Sequence, residues 1–429
     1  MMTNTKTEII AGLTTFMTMA YIIFVNPAIL SSAGVSFESV ALATCLGAGL
    51  MTIFMGLYSK YPFALAPGMG LNAVVAFTLC GQMKLPYSVA MGIIVIEGLM
   101  VTIFVLTKTR ETVMNSIPKP IKLAIGVGIG IFIAFIGLSE GGIVEKNPAT
   151  LVSLGNLKTN YAVTTVIGLL ITSVLIALRV RASILIGIIL TAVAGFFAGV
   201  VSLPHKIFSF PSDFSLFFKP DIAGALKITL IPMIFAIFMT DFFDTMGTII
   251  GVSEEGGFLD ENGRLPRLKN VLLVDSLSAV FGGLVGSSSV TSYIESAAGV
   301  AEGGKTGKTS VVTGVLFLAS IFLIPLVSVV GGGYRTLDGV YKFPVTAPAL
   351  IIVGFLMMSA IKGIDFKKAD EGIPAFLTII GMPLTYNISH GIGFGFISFT
   401  LIKLFTGKAK ELHPLIYVVS ALFAVNFAL

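Results

Sequence analysis

A few polar side chains able to bind a ligand or a proton lie inside long apolar stretches of this chain. Asp241 and Asp244 are three residues apart in FMTDFFDTMGT, so a helix would carry them on one face. Glu295 lies in a stretch rich in Ser and Gly, and Asn72 has the comparable place after PGMG. An amide and carboxylates brought together would suit a planar heterocycle with N–H donors and ring acceptors, and would repel a fixed anion.

Other polar residues in these stretches have structural interpretations that compete with functional ones. Asp244 fits a water-filled vestibule as well as a substrate contact, and Asp275 is typical of a hydrogen-bond hub. Glu97 has no partner that the sequence reveals, so we interpret it as structural. We expect Asp275, together with Gly70 and Ser292, to support the site without holding the ligand.

The composition excludes a soluble globular protein. Of the 429 residues, 55% are hydrophobic and 11% are charged, with a mean hydropathy of +0.98, whereas soluble domains carry about 25% charged residues. The net charge of +5 is modest and no basic face is visible, so nucleic-acid binding is not expected. Cys45 and Cys80 lie in apolar stretches and are interpreted as small core residues. The sequence predicts an all-α polytopic protein in a lipid bilayer.

A membrane-spanning helix needs about 20 mostly apolar residues. Full spans are predicted near 9–31, 37–58, 86–107, 120–138, 161–179, 182–202, 223–250, 268–286, 308–330, 345–361, 371–387 and 390–406. Two shorter segments, about 64–80 and 290–302, are interrupted by Gly, Ser and Pro, and they bring the total to about fourteen. The terminal apolar segment 413–428 is left outside this count.

Lysines and arginines are unevenly divided between the predicted loops. With the N-terminus inside, about 18 of them fall on the cytoplasmic side and about 7 on the opposite side. This bias predicts a cytoplasmic N-terminus. No small-residue cleavage site ends the first apolar stretch, so we interpret it as a retained helix of a multi-pass cell (inner or plasma) membrane protein.

The two interrupted segments have matching places along the chain. ALAPGMGLNAVVAF (64–77) is third in the first set of seven spans, and GSSSVTSYIESAAGV (286–300) is third in the second set. Because seven is an odd number of spans, the second set begins on the opposite side of the membrane from the first and has the inverted orientation. The sequence therefore predicts an inverted repeat of 9–202 and 223–406. Paired interrupted segments indicate a transporter whose substrate site lies between them.

One nucleotide-binding motif match is rejected. GVAEGGKT (299–306) satisfies the P-loop pattern, but a P-loop follows a strand and opens a helix within an α/β domain. Here it joins two membrane segments, and no soluble stretch is long enough to form such a domain. We expect no cofactor, no metal site and no catalytic residue.

Three motifs resemble one transporter family. DFFDTMGTIIGV, TSYIESAAGVAEGGKTG and ALAPGMGLNA are similar to the adenine/guanine/hypoxanthine permeases, the AzgA-like branch of the nucleobase–ascorbate (nucleobase:cation symporter) superfamily. TTFMTMAYIIFVNPAILSSAG matches the same branch. The resemblance implies the seven-plus-seven inverted repeat of the uracil permease UraA. It also implies a core domain of 9–107 and 223–330 that moves against a gate domain of 120–202 and 345–406.

The resemblance further implies import of purine nucleobases by proton symport, with an elevator-like alternating-access mechanism. By motif position it places substrate binding on Asn72, Asp241 and Glu295, with Asp244 as a second acid of the eighth span. A carboxylate among Asp241, Asp244 and Glu295 would carry the proton, although Na⁺ stays open as the coupling ion. The related fold often forms homodimers through gate helices, so a homodimer is an expectation for this chain too.

Three alternatives stay open at this point. A uracil or xanthine permease would have the same fold and different pocket contacts. An intramembrane aspartyl protease would use two membrane aspartates, but such a dyad comes from facing helices, whereas Asp241 and Asp244 lie on one turn. A passive channel would not accumulate its solute against a gradient.

Overall fold

Helices form most of the chain in the computed structural model, which describes residues 4–107, 118–202, 204, 206–261, 264–336 and 338–428. In chain order the α-helices are α1 (Thr5–Met19), α2 (Ile22–Ser31), α3 (Phe37–Ser59), α4 (Met69–Ala73), α5 (Tyr87–Thr107), α6 (Lys119–Glu140), α7 (Asn160–Ala177), α8 (Ser183–Phe197), α9 (Ile222–Ala225), α10 (Ile231–Gly256), α11 (Leu268–Val285), α12 (Ser296–Ala301), α13 (Gly307–Ala319), α14 (Ile324–Gly331), α15 (Ala347–Met357), α16 (Ala369–Thr385), α17 (Ile388–Phe405) and α18 (Pro414–Ala428). A π-helix, Val74–Gln82, continues α4.

Three short antiparallel strand pairs connect or interrupt the helices. They are β1 (Leu65–Pro67) with β4 (Val290–Ser292), β2 (Val144–Asn147) with β3 (Leu151–Leu154), and β5 (Tyr334–Arg335) with β6 (Tyr341–Lys342). The first pair is buried and joins segments far apart in sequence, whereas the other two are local hairpins.

Both predicted interruptions are present, and they meet each other. β1 and β4 pair with Leu65 opposite Ser292 and Pro67 opposite Val290. The ladder continues at both ends, because the Gly68 amide donates to the Ser289 carbonyl and the Tyr293 amide to the Ala64 carbonyl. Non-helical backbone inside a membrane is stable only when its polar groups are satisfied within the protein. Each interrupted segment satisfies the other, and this crossing ties the two repeats together.

Nine of the described helices or helix pairs are long and apolar enough to cross a membrane, and four shorter apolar helices accompany them. The predicted eighth span was wrong at its start, because 222–225 and 228–230 form separate short turns and α10 begins only at Ile231. Pro232 at the first turn of α10 favours that start, since proline needs no helical donor there. The predicted seventh span also ended too late, since α8 ends at Phe197.

The helices pack in two groups. In the first, named the crossing group, α3 packs on α13 and α5 packs on α11, around the β1–β4 pair. The same group contains α10, which packs on α5, and α4, which packs on α2. In the second, named the flanking group, α6 packs on α15 and α16, while α7 packs on α8 and α16 on α17. Counted by predicted span, the second span thus packs on the eleventh and the fourth on the ninth. An inverted repeat relates the second span to the ninth and the fourth to the eleventh, so it converts one of these pairs into the other, and the packing agrees with it.

Glycines allow the closest helix approaches in both groups. A Cβ on Gly307 of α13 would lie 1.8 Å from the Gly56 carbonyl oxygen of α3, and a Cβ on Gly354 of α15 would lie 2.3 Å from the Gly130 carbonyl oxygen of α6. Small residues are typical of membrane helix interfaces, where association depends on close packing. The terminal segment 413–428 is helical as α18 and packs on α17, where the Thr400 and Ser420 hydroxyl oxygens are 2.7 Å apart.

Candidate functional site

A cavity of about 420 Å³ lies between the crossing group and the flanking group. The crossing group lines it with the start of α4, including Gly70, with one face of α10, including Asp244, and with Ile294. The flanking group lines it with the first turns of α6, including Lys122 and Gly126, and with the end of α15. The size is typical of a site for a small molecule.

The β1–β4 crossing and the start of α4 stand beside this cavity. The Tyr293 hydroxyl donates to the Pro67 carbonyl at 2.5 Å, and the Asn72 amide nitrogen donates to the same carbonyl at 3.4 Å. Asn72 is fully buried, and its Oδ1 atom has no hydrogen-bond partner in the described part of the chain. Asn72 therefore lies directly behind the cavity wall and keeps one acceptor unused.

Asp275 of α11 collects hydrogen bonds from three donors. Its Oδ1 accepts from the Ser292 amide at 2.8 Å and from the Ser292 hydroxyl at 2.7 Å, while its Oδ2 accepts from the Thr245 hydroxyl at 2.8 Å. The Thr245 and Thr291 hydroxyl oxygens are 2.6 Å apart. Asp275 thus fixes β4 to α10 and α11, and Ser292 is one of its donors.

Asp241 and Asp244 lie in different environments although they share a helix. Asp244 is exposed to the cavity and is within electrostatic reach of Asp275 and Glu295. Asp241 is 1% exposed and lies beside Glu97 of α5 and Thr291 of β4. Glu97, which the sequence left without a partner, therefore faces a carboxyl group of the site.

Glu295 has a partner that the sequence did not reveal. It is half-buried just before α12, and its Oε1 accepts a hydrogen bond of 2.5 Å from the Tyr21 hydroxyl. Tyr21 lies at the break between α1 and α2, and its side chain is 1% exposed. The sequence offered one signal for this contact, because Tyr21 is a polar aromatic residue in the middle of an apolar span.

Aromatic side chains cluster beyond one end of the cavity. The Tyr386 ring packs against Phe132 and Phe135 of α6, with ring centroids 5.3 Å and 5.9 Å away, and against Phe77 of the π-helix at 5.9 Å. Nearby, the Gln82 amide donates to the Thr385 carbonyl at 2.9 Å. Since α6 lines the cavity with residues 122–129, the aromatic cluster begins one turn beyond it. The cluster therefore lies beyond the Ile129 end of the cavity wall, away from Lys122.

The predicted residues are consequently brought into one region, in three layers. Asp244 and Gly70 line the cavity, and Asn72 and Asp241 are buried behind its wall. Glu295, Asp275 and Ser292 hold the surrounding elements. Sequence reasoning missed Tyr21, Tyr386 and the two threonines of the Asp275 cluster, whose roles depend on contacts between distant segments.

Comparison with known proteins gives the class. The model of the permease family (Xan_ur_permease) matches residues 6–394. The adenine permease AdeP of Escherichia coli is 40% identical over 99% of this chain and 93% of its own length. The guanine/hypoxanthine permease PbuO of Bacillus subtilis is 42% identical over 99% of this chain and 97% of its own length. The transmembrane domain of the cyanobacterial bicarbonate transporter BicA superposes with a TM-score of 0.65 at 13% identity, covering 90% of this chain and 97% of that domain.

Fold and cavity together are those of a multi-pass membrane transporter, not of an enzyme. The chain belongs to the permease family, over nearly its whole length. The fold is the UraA-like one expected from the motifs, with interrupted third and tenth segments.

Proposed function

We propose that this protein imports purine nucleobases across the cell membrane together with protons. The observation that carries this proposal is the cavity at the β1–β4 crossing, which presents the Asp244 carboxylate between two helix groups. Support comes from relatives that transport adenine or guanine and hypoxanthine, as their names state. A carboxylate suits purines because their ring and exocyclic N–H groups are donors.

The proposed mechanism is alternating access with elevator-like movement. The crossing group acts as the core domain (9–107 and 223–330) and moves against the flanking group, which acts as the gate domain (120–202 and 345–406). With the N-terminus in the cytoplasm, the Lys122 end is cytoplasmic and the conformation is inward-open. A homodimer through gate helices remains part of this proposal.

The proposed substrate site comprises Asn72, Asp241 and Glu295, to which the cavity adds Asp244 as the carboxylate that the base meets first. The unused Oδ1 acceptor of Asn72 supports a ligand contact there. Asn72 and Asp241 are buried, so the base reaches them only when the wall at Gly70 moves aside. Gly70 suits that movement, because any side chain at this position would meet Ile129 of the flanking group at 2.8 Å.

Uptake measurements test the proposal. Radiolabelled adenine, guanine and hypoxanthine are offered to cells that lack their own purine permeases and express this protein, at about pH 5.5 and about pH 7.5. We expect saturable accumulation that is faster at the lower pH and collapses with a protonophore. Accumulation that follows the sodium gradient instead would overturn proton coupling while leaving the substrate class intact.

Competition separates this function from that of a uracil or xanthine permease. Unlabelled uracil and xanthine, each in excess, should leave hypoxanthine uptake nearly unchanged. Absence of any purine uptake, with the protein shown in the membrane, would exclude the purine assignment. Solute that equilibrates without accumulating would indicate a passive channel.

A further inference from the structure

Glu97 is a fully buried carboxyl group in the middle of α5, and the function proposed above gives it no task. Its side chain is 0% exposed. A Cβ on the neighbouring Gly98 would lie 2.7 Å from the Val280 amide nitrogen of α11, so α5 is held tightly at this point. Burial of a carboxyl group within a membrane-spanning helix is energetically unfavourable, and such groups usually have a function.

The group beside Glu97 is another acid. The Asp241 carboxyl of α10 lies against it, and Asp241 is 1% exposed. In the described part of the chain, no donor is aligned on either Glu97 oxygen or on the Asp241 Oδ1 atom. Two carboxylates offer only acceptors to each other, so these three atoms stay unsatisfied if both groups are ionised.

A single proton bound by the pair supplies a hydrogen-bond donor between the two carboxyl groups. Once one carboxyl is protonated, its O–H can donate to the other, as in other carboxyl pairs that share a site. The remaining charges that act on the pair are also acidic, from Asp275 of α11 and from Asp244 one turn along α10. The other polar neighbour, Thr291 of β4, is uncharged. The two charged neighbours are thus both acids, and Thr291 is placed to donate a hydrogen bond to Asp241.

We propose that Glu97 and Asp241 together form the proton-binding site of the transporter, with one proton shared between the two carboxyl groups. The proton comes from water in the cavity, forms an O–H bond on one of the two carboxyls, and leaves to water on the opposite side. No electrons move, and the charge of the pair changes from −2 to −1 on binding. This inference rests on the proposed proton symport.

The pair is connected to the substrate cavity by short paths. Asp241 lies one helical turn from Asp244, which faces the cavity. On its other side Asp241 meets Thr291, whose hydroxyl leads through Thr245 to Asp275. A change of charge at the pair therefore acts directly on β4, one of the two strands at the crossing. Proton binding and substrate binding would thus influence the same element.

The test is the pH profile of uptake in Glu97→Gln. Gln keeps the size of Glu97 and gives Asp241 an amide donor, but it removes the second carboxyl that retains the proton. We expect uptake to persist and its pH midpoint to move to lower pH by about one unit or more. Glu97→Asp, which keeps a carboxyl, should stay close to the unmodified protein. Glu255→Gln, at an exposed position near the end of α10, is the matched control and should leave the midpoint unchanged.

A second measurement does not depend on transport. Infrared difference spectra of the purified protein against Glu97→Gln should show loss of a carbonyl band of a protonated carboxylic acid. An unshifted pH midpoint together with identical carbonyl bands would overturn the shared proton. If the unmodified protein itself accumulates purines without any response to pH or protonophore, proton symport fails instead, and the infrared result still decides whether the pair holds a proton.

Discussion

The interface between the crossing group and the flanking group is packed with aromatic rings at one end and bordered by glycines at the other. At one end, three aromatic rings gather around Tyr386. At the other end, Gly126 of α6 and Gly247 of α10 face open space, since a Cβ at either position would meet nothing within 4 Å. A single helix, α6, serves both ends: its residues 122–129 line the cavity, and Phe132 and Phe135 join the cluster.

This difference explains how one interface can be tightly packed at one end while it leaves a cavity at the other. The rings exclude water by packing, and the glycines create room by lacking side chains. Rigid-body movement of the crossing group along α6 would exchange the two conditions without rebuilding either group. With the proposed cytoplasmic N-terminus, the end packed by rings is the external one, and variants at the two ends should act on different steps of transport.

The largest effect is expected from the carboxylate at the open end. Asp244→Asn removes a charged acceptor from the cavity while keeping its size. A hydrogen bond to a charged group contributes about 1.5–3 kcal/mol, so the kcat/KM for purine uptake should fall about 10- to 100-fold. Initial-rate uptake at a range of purine concentrations measures this.

Asp338→Asn is the control for that substitution, because Asp338 is exposed in the β5–β6 hairpin. It should leave uptake unchanged. If Asp244→Asn transports as well as the control, the open end is only a vestibule and the base is bound elsewhere.

Weakening the closed end should produce the next largest effect. Tyr386→Ala removes three ring contacts, each contributing about 0.5–1.5 kcal/mol, and should shift the population toward an externally open state. Cys80 lies partly buried between Phe77 and Gln82, so it can report the change. In a Cys45→Ser background, we expect labelling of Cys80 by a membrane-impermeant maleimide to accelerate about tenfold or more.

The conservative variant refines this result. Tyr386→Phe keeps the ring, so its labelling rate should remain near that of the parent protein. Equal acceleration in both variants would show that the hydroxyl, and not ring packing, closes this end. Unchanged labelling in Tyr386→Ala would contradict the assignment of a closed external end.

Local signals in the sequence were sufficient for the architecture but not for the contacts within it. PGMG and the Ser-rich run before Tyr293 are typical of interrupted helices, so both interruptions were predictable. Their pairing as β1 and β4 was not, because it depends on how the repeats fold together. The start of α10 was missed for a related reason: the apolar run continues through 223–230, and only Gly224, Lys227 and Pro232 mark the turns that interrupt it.

The candidate site shows the same division. Asp241, Asp244 and Glu295 could be found because acids are rare in apolar spans. The separation of Asp241 from the cavity and its contact with Glu97 could not, since they follow from the rotation of α10 and its packing on α5. Likewise Tyr386 takes part in the closed end through a left-handed backbone conformation, with φ of 55°, at the end of α16. A single aromatic residue in an apolar sequence gives no indication of this.

Gly130 and Gly126 lie one helical turn apart on α6, the first against α15 and the second beside the cavity, so the same substitution can be compared in a packed and in an open region. Gly130→Ala would place a Cβ 2.7 Å from the Met357 Cβ and 2.8 Å from the Gly354 carbonyl oxygen, whereas Gly126→Ala faces open space. Overpacking costs about 1–3 kcal/mol, and replacing a helical Gly by Ala otherwise gains about 0.5–1 kcal/mol. Thermal unfolding in detergent should therefore show a lower midpoint for Gly130→Ala and an equal or higher one for Gly126→Ala. The reverse order would contradict the placement of the cavity along α6.

The smallest effect is expected from the amide contacts that flank the aromatic cluster. Gln82 donates to the Thr385 carbonyl at 2.9 Å and accepts from the Asn387 amide at 2.9 Å. Gln82→Ala loses both bonds, while Gln82→Glu keeps the acceptor for Asn387 and loses only the donor. Because Gln82 is exposed and each such bond contributes about 0.5–1.5 kcal/mol, Cys80 labelling should rise a few-fold in Gln82→Ala and less in Gln82→Glu. An effect of Gln82→Ala as large as that of Tyr386→Ala would mean that the amides, and not the rings, hold the external end shut.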